Sequence, residues 1–174
     1  MAQSQPPNVT QPGPVVSNTT PLISLGEIGL LDVVHTLYGE LWIPSAVFSE
    51  YQVGLSAHER RPSLDGFPWI TVHATSTDPA VPATLDAGEA EAIALARANA
   101  ERLLLIDEQR GRAAAKRLGL VVAGSIAVLL DAKAQAIIPL IRPHLDQMVA
   151  QGRRIGARLY SQALALAHED DTPG

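Results

Sequence analysis

The amino-acid sequence predicts an α/β fold in which helices cover a parallel β-sheet. Short apolar segments alternate with helical patterns along most of the 174 residues, an order typical of such a sheet. One segment, residues 103–106, is a continuous run of four apolar residues, as expected of a strand buried on both faces. The hydrophobic content of 47% is enough for a sizeable core, and the chain length favours one domain with extensions.

Five short apolar segments are predicted to form the strands. Each is followed by a polar residue or a glycine that begins a turn or a helix. In chain order they are residues 14–17, 40–44, 69–72, 103–106 and 120–123. Ligands of open α/β sheets bind outside the carboxyl ends of the strands, so the residues after these segments are the first candidates for a site.

Helical patterns fill the intervals between the strands. Pro21 suits the first turn of a helix, where its missing N–H is not needed, and Ser45 can cap the helix after the second strand. Residues 52–68 carry mixed charge, two prolines and two glycines, which predicts a loop with at most a short helix. The predicted helical segments are 22–31 in one or two pieces, 32–37, 46–51, 88–100, 109–118, 124–135, 140–150 and 156–167.

The domain is predicted to span residues 14–168, with 143–168 as a C-terminal helical extension. Residues 1–13 are polar and proline-rich, which predicts a disordered tail, and residues 169–174 are expected to form a second tail. The sequence has no apolar run of about 18 residues and no signal-peptide pattern, so we expect a cytoplasmic protein without a membrane span.

Several classes of chemistry are excluded by motif. The chain has no cysteine, no glycine-rich phosphate loop, and neither an HExxH nor a GxSxG motif. The five histidines lack the spacing of metal ligands. They are His35, His58, His73, His144 and His168. Oxygen ligands remain, and carboxylates and amides suit Mg²⁺ or Mn²⁺.

Four acidic residues lie at the ends of elements that pack on the predicted sheet. Asp107 directly follows a buried strand, where it is either a helix cap or a ligand. Glu89 lies in the first turn of its helix, where the helix dipole alone favours an acid. Glu91 shares that explanation and points about 200° away around the helix, so the two do not easily share one site. Glu50 stands in an otherwise apolar helix, and with Asp107 and Glu89 it indicates a common site.

Basic residues are unevenly distributed. None of the 13 lysines and arginines precedes Arg60, and four of them fall within eight residues just after Asp107. The four are Arg110, Arg112, Lys116 and Arg117. A basic segment beside an acidic cluster suits a polyanion held against metal-binding carboxylates, whereas the alternative is a solvated helix face. The net charge of −5 argues weakly against general affinity for nucleic acid.

Five motifs in a fixed order carry a resemblance to a known family. They read VVSNTTPLISLGEIGLLDVV, LWIPSAVFSEY, LDAGEAEAIALA, LLLIDEQRGRAAAKRLGL and GSIAVLLDAK. In this order they resemble a PIN domain, most closely the DUF3368 type, over roughly residues 14–165. The resemblance implies a three-layer α/β/α sandwich around a central parallel sheet of four or five strands, followed by C-terminal helices.

The resemblance also implies an activity and a set of site residues. Many PIN domains are Mg²⁺- or Mn²⁺-dependent ribonucleases, and many bacterial ones are toxins of type II toxin–antitoxin pairs. It therefore implies an RNA substrate and a small antitoxin partner, and it is compatible with a homodimer. By position the metal-binding and catalytic residues would be Asn18, Glu50, Glu89 and Asp107. The RNA-binding residues would be Arg110, Arg112, Lys116, Arg117, Ser17 and Thr19, with Thr20 as a further candidate. Glu108 ranks below Asp107, because neighbouring side chains point apart.

One position departs from the family pattern. Asn18 stands where the family usually has aspartate, which removes one negative charge and should lower the affinity for metal. The leading hypothesis is therefore a divalent-metal ribonuclease, and the alternative is a catalytically weak PIN-fold module that binds RNA or a protein partner. A phosphoryl-transfer or receiver-like domain is a distant third, since the sequence lacks a paired-acid and lysine arrangement.

Overall fold

The computed structural model describes residues 14–55, 60–99 and 103–170. The described part of the chain forms five strands, all parallel. They are β1 (Val15–Ser17), β2 (Leu41–Pro44), β3 (Ile70–His73), β4 (Leu103–Leu105) and β5 (Val121–Ala123). The tails predicted at 1–13 and 171–174 lie outside the described residues.

Helices follow or separate the strands, as the alternation predicts. Those described are α1 (Thr19–Glu27), α2 (Leu31–Tyr38), α3 (Ser45–Leu55), α4 (Ala87–Ala98), α5 (Gln109–Arg117), α6 (Ser125–Ala134), α7 (Arg142–Ala150) and α8 (Ala157–Leu166). A short 3₁₀ helix at Leu64–Gly66 is the only helix in the described part of the loop predicted at 52–68 beyond the end of α3.

The strand order is β3-β2-β1-β4-β5, so the chain begins in the middle of the sheet. It moves outward through β2 to β3 and then crosses back to place β4 on the other side of β1. Val16 of β1 pairs with Trp42 on one side and with Leu104 on the other. The direction of winding therefore reverses between β1 and β4, and a crevice opens there at the carboxyl ends of the strands.

Alternate residues of the strands supply two separate cores. Val15 and Leu105 join a large core that also takes residues from α1, α2, α3, α6, α7 and α8. Val16 and Leu104 face the other way and pack with α4 and α5. Because side chains alternate along a strand, the central strands are buried on both faces. The predicted three-layer α/β/α sandwich with a five-stranded parallel sheet is confirmed.

The C-terminal helices α7 and α8 pack into the large core. Leu145 and Met148 of α7 and Leu164 of α8 are buried in the large core. Glu169, predicted to begin a tail, is instead anchored: its carboxylate accepts hydrogen bonds from the backbone N–H groups of Ile141 (2.7 Å) and Arg142 (2.9 Å). Glu169 thus contacts the domain that is predicted to end at residue 168.

Helix α3 runs to Leu55, four residues beyond its predicted end. Gly54 lies inside this last turn, and a Cβ there would collide with the guanidinium of Arg61. Arg61 is buried, donates to the carbonyl oxygen of Tyr51 (3.2 Å) and lies 3.5 Å from the Glu27 carboxylate. The glycine read as a loop signal instead makes room for a buried cation.

Within the described residues, no single helix has both the length and the apolar character needed to cross a bilayer. Helices α1 and α2 reach these limits only when joined, and they bend by 116° at the break between them.

Candidate functional site

Two polar residues lie at the switch point between β1 and β4. Asn18 directly follows β1, and its backbone N–H donates to the carbonyl oxygen of Leu105 at 2.9 Å. Asp107 follows β4 after Ile106, whose N–H donates to the carbonyl oxygen of Ala123 at 2.8 Å. These backbone bonds extend the sheet to the site and hold both residues at its carboxyl edge, as the sequence predicts.

Glu108 links the ends of the two strands. Its carboxylate accepts a hydrogen bond from Asn18 Nδ2 at 3.1 Å and another from the hydroxyl of Thr20. The side chains of Asp107 and Glu108 point in different directions, as predicted for neighbouring residues. Of the two, Glu108 is the one that contacts Asn18. Sequence reasoning ranked Glu108 too low, since the order of the strands was needed to see that it faces Asn18.

Asn18 carries an unsatisfied acceptor. The residue is only 3% exposed, and its Oδ1 atom accepts no hydrogen bond from the described part of the chain. An unpaired buried carbonyl oxygen is unfavourable by about 1–3 kcal/mol. A cation or a donor from a ligand would satisfy this atom.

Asp107 is held by the start of α6. Its Oδ1 accepts the backbone N–H of Ser125 at 2.7 Å, and its Oδ2 accepts the Ser125 hydroxyl at 2.6 Å. Burial raises the pKa of Asp107 above its usual value, the two Ser125 hydrogen bonds oppose the rise, and the charge of Glu108 adds to it. Sequence analysis missed Ser125, although a serine one residue after Gly124 at a strand end is a helix-start signal.

Glu50 reaches the same edge from α3. Its Oε1 accepts the backbone N–H of Gly88 at 3.2 Å, and its Oε2 accepts the Thr19 hydroxyl. The structure therefore brings two of the predicted residues into contact here, Glu50 and Thr19, and Thr19 directly follows Asn18.

Glu89 serves first as part of a capping box. Its backbone N–H donates to Asp86 Oδ1 at 2.7 Å, and its own carboxylate accepts the Asp86 N–H at 3.4 Å. The side chain is buried, and burial raises its pKa, with the charges of Asp86 and Glu108 contributing in the same direction. Glu89 Oε1 lies against Gly111, in the first turn of the helix that follows Asp107 and Glu108.

Three of the predicted acids lie over glycines in the first turns or caps of helices. A Cβ at Gly88 would lie 2.7 Å from Glu50 Oε2, one at Gly111 2.8 Å from Glu89 Oε1, and one at Gly124 2.7 Å from Asp107 Oδ1. Helix N-termini favour anions through the dipole and the free N–H groups. Here the absence of a side chain lets each carboxylate approach the backbone closely.

Glu91 lies outside this group. Its carboxylate accepts the backbone N–H of Ala46 at 2.9 Å and so stabilises the start of α3. This agrees with its predicted orientation away from Glu89.

The predicted RNA-binding residues differ in accessibility. Arg112 is half-buried and donates to the carbonyl oxygen of Ile106 at 2.8 Å, beside Asp107, so it supports the site from within. Arg110 is exposed near the start of α5 and donates to the carbonyl oxygen of Thr84 at 3.4 Å. Lys116 and Arg117 are exposed in the last turn of α5, away from the sheet edge.

Ser17 is unsuited to the predicted RNA contact. It is 1% exposed, and its hydroxyl donates to the carbonyl oxygen of Asn18 at 2.8 Å. Thr19 is also largely buried, with its hydroxyl committed to Glu50.

The donor chemistry fits a divalent cation, but the donors are not gathered. Across residues 14–55, 60–99 and 103–170, no three histidine, aspartate or glutamate side chains are arranged to hold a metal ion. Of the predicted set Asn18, Glu50, Glu89 and Asp107, Glu50 contacts Thr19 and Asn18 contacts Glu108. What fits is the kind of donor, because Asn18 Oδ1 and the nearby carboxylates are the hard oxygens that Mg²⁺ and Mn²⁺ prefer.

Comparison with known proteins agrees with this geometry. A family model described as PIN domain (DUF3368) matches residues 14–169. The chain matches no curated protein and no solved structure. PIN domains are generally nucleases that act on nucleic acid and typically use divalent metal ions. With the fold, the acidic switch point and this match in agreement, the chain belongs to the PIN-domain family of the DUF3368 type.

Proposed function

We propose that this PIN domain is a divalent-metal-dependent endoribonuclease that acts in the cytoplasm as the toxin of a type II toxin–antitoxin pair. The observation that carries the proposal is the buried, unsatisfied Oδ1 of Asn18 at a switch point surrounded by carboxylates. Such an edge repels a phosphodiester unless a cation is present, so it is suited to a metal and to a substrate that shares it.

Each residue of the site has a proposed role. Asp107, Glu50, Glu89 and Asn18 would hold one or two Mg²⁺ or Mn²⁺ ions, and Glu108 is the nearest additional ligand. The bound ion would polarise the phosphoryl oxygens and lower the pKa of an attacking water. Ser125 orients Asp107, and Thr19 orients Glu50. Arg110 would bind RNA near the site, with Lys116 and Arg117 further along α5.

The direct test compares two acids of the chain. With Mg²⁺ or Mn²⁺ present, we expect the protein to cleave RNA and Asp107→Asn to abolish cleavage. The amide keeps an acceptor for Ser125, so this variant should stay folded. Glu91→Gln is the control, since the Glu91 carboxylate accepts from the start of α3 and lies outside the candidate site. Cleavage that persists in Asp107→Asn, or that needs no metal, rules out the proposal.

A second candidate is a catalytically weak PIN module that binds RNA or a protein partner. It is favoured by the neutral side chain of Asn18 and by the dispersed donors within the described residues. Calorimetry separates the two functions: heat of Mn²⁺ binding supports the nuclease, whereas RNA binding without metal binding supports the module.

The toxin role has its own test. Induced expression of the wild-type protein should arrest the growth of the host cells, whereas expression of Asp107→Asn should not. Co-expression of a small protein encoded by the neighbouring gene should relieve the arrest. We extend the proposal to a homodimer, which light scattering of the purified protein would detect. Normal growth during expression of active nuclease would contradict the toxin role alone.

A further inference from the structure

A cavity of about 310 Å³ lies beside Asp107 and Glu108. On one side it is lined by these acids and by Ser125. It is also lined by Arg153 and Arg154, from the segment between α7 and α8. The cavity therefore joins the acidic edge of the sheet to a pair of cations that has no assigned role in the site.

Arg153 fixes this segment in place. Its guanidinium lies 3.6 Å from Glu27 Oε2, and the side chain of Gln151 donates to the Glu27 carbonyl oxygen at 3.1 Å. Gly152 turns the chain with φ of 91°, a value that favours glycine, and the N–H of Arg153 closes the turn onto Met148 O at 3.0 Å. The position of the next residue, Arg154, is thus well defined.

Arg154 is an available cation. It is exposed, and it makes no hydrogen bond or ion pair with the described part of the chain. None of the basic residues of α5 except Arg110 is both exposed and near the site, because Arg112 is committed to Ile106 O, and Lys116 and Arg117 lie at the far end of a helix about 13 Å long. Arg110 donates to Thr84 O and does not line this cavity. A polyanion that reaches Asp107 through this cavity would also meet Arg154, which lines it.

The rest of the lining is apolar. Ile126, Met148, Ile155 and Leu159 contribute to it, and Leu159 is half exposed. A nucleotide combines an anionic phosphate with a sugar and a base that prefer apolar or aromatic contact. The cavity volume lies at the lower end of the roughly 300–1,000 Å³ typical of small-ligand pockets.

We infer that Arg154 binds a backbone phosphate of single-stranded RNA adjacent to the scissile bond, and that the cavity takes the adjoining nucleotide. Arg153 is the positioning residue, since its contact with Glu27 sets the course of the segment. This inference rests on the proposed ribonuclease function and names the substrate-binding surface of the same site.

The test measures binding of a fluorescently labelled single-stranded RNA by anisotropy with Mg²⁺ present, so that the acidic edge has its cation. The RNA has phosphorothioate linkages, which resist hydrolysis. We expect Arg154→Gln to weaken binding by roughly three- to tenfold. The slope of log K against log salt concentration should fall by about 0.7, the value for one lost phosphate contact on a single strand. Arg158→Gln is the matched control, because Arg158 is exposed on α8 but does not line the cavity.

The outcomes separate the two proposals. If the wild type binds RNA and Arg154→Gln binds it with the same affinity and salt slope, the inference is overturned while the ribonuclease stands. If Arg158→Gln weakens binding equally, general charge explains the effect and the inference is also overturned. If the wild type binds no RNA, both proposals fail. Unchanged thermal unfolding of Arg154→Gln confirms that the change is local.

Discussion

Single glycines at the candidate site are needed for the space that they leave to a carboxylate and not for a turn of the backbone. Gly124 has an extended backbone, with φ of −110° and ψ of 178°, which alanine adopts without strain. An added methyl group would nevertheless lie 2.7 Å from Asp107 Oδ1. Since the obstructing atom ends a short side chain, the carboxylate would shift while the backbone stays in place.

We therefore predict that Gly124→Ala loses most of the metal-dependent nuclease activity but unfolds within about 1 kcal/mol of the wild type. Gly156→Ala is the matched control, because Gly156 also caps a helix and has no described atom within 4 Å of its added Cβ. Nuclease assays and urea unfolding measure the two effects. Full activity in Gly124→Ala would show that the position of Asp107 does not matter.

Replacing Asn18 with aspartate is expected to lower the melting temperature without metal and to increase the stabilisation that metal gives. Asn18→Asp removes the Nδ2 donor to Glu108 and places two carboxylates side by side. We expect a lower melting temperature in EDTA, because the like charges repel. In Mn²⁺ we expect a larger rise in melting temperature than in the wild type, since the added charge strengthens metal binding. Equal shifts in both proteins would mean that Asn18 is remote from any metal.

At the scale of elements, Glu169 joins α6 to the start of α7. Its buried carboxylate accepts from Lys133 Nζ at 2.7 Å as well as from the N–H groups of Ile141 and Arg142. Burial alone would raise the pKa of Glu169, but these hydrogen bonds outweigh it and hold the pKa below its usual value. One side chain thus satisfies two of the free N–H groups around the start of α7.

We predict that Glu169→Gln destabilises the protein by about 1–3 kcal/mol at pH 7. A carboxylate with a lowered pKa stabilises the fold above its unfolded pKa of about 4.3, and this contribution is lost as the pH falls through the lower folded value. The difference in free energy of unfolding between the wild type and Glu169→Gln, measured in urea, should therefore become smaller at low pH. Asp170 is the next residue and is exposed. Asp170→Asn should therefore have the same free energy of unfolding as the wild type at pH 7 and at low pH.

The elements themselves could be predicted because their signals are local. The apolar run at 103–106 predicts β4 from its own residues, and the glycine after Ala123 marks the end of β5. The partners of the side chains could not be predicted in this way: Glu108 contacts Asn18, 90 residues earlier, and Arg112 turns back to Ile106 O. The contact between Glu108 and Asn18 depends on the strand order, and that of Arg112 depends on the direction in which its side chain leaves α5. The basic residues after Asp107 are close in sequence, but α5 places Arg112 against Ile106 O beside the site and Lys116 and Arg117 in solvent.

At the scale of the molecule, the large core joins the first strand to the last helix. Val15 of β1 and Leu164 of α8 belong to the same buried cluster, and so do residues of α6 and α7 between them. The segment predicted as a C-terminal helical extension therefore packs into the same core as the first strand. It also carries Arg153 and Arg154, so the proposed RNA surface depends on the packing of α7 and α8.

Two leucines of α8 test whether the chain unfolds as one unit. Leu164 is 5% exposed and Leu166 is 69% exposed, so the same truncation removes buried contacts at one position and almost none at the other. We predict that Leu164→Ala lowers the free energy of unfolding by about 2–5 kcal/mol and that Leu166→Ala changes it by less than about 0.5 kcal/mol. Both tryptophans, Trp42 and Trp69, lie in or next to β2 and β3. If the domain is cooperative, tryptophan fluorescence and far-UV circular dichroism will therefore shift together in Leu164→Ala. A fluorescence midpoint that stays at the wild-type value while helicity is lost would instead mean that α8 unfolds separately from the sheet.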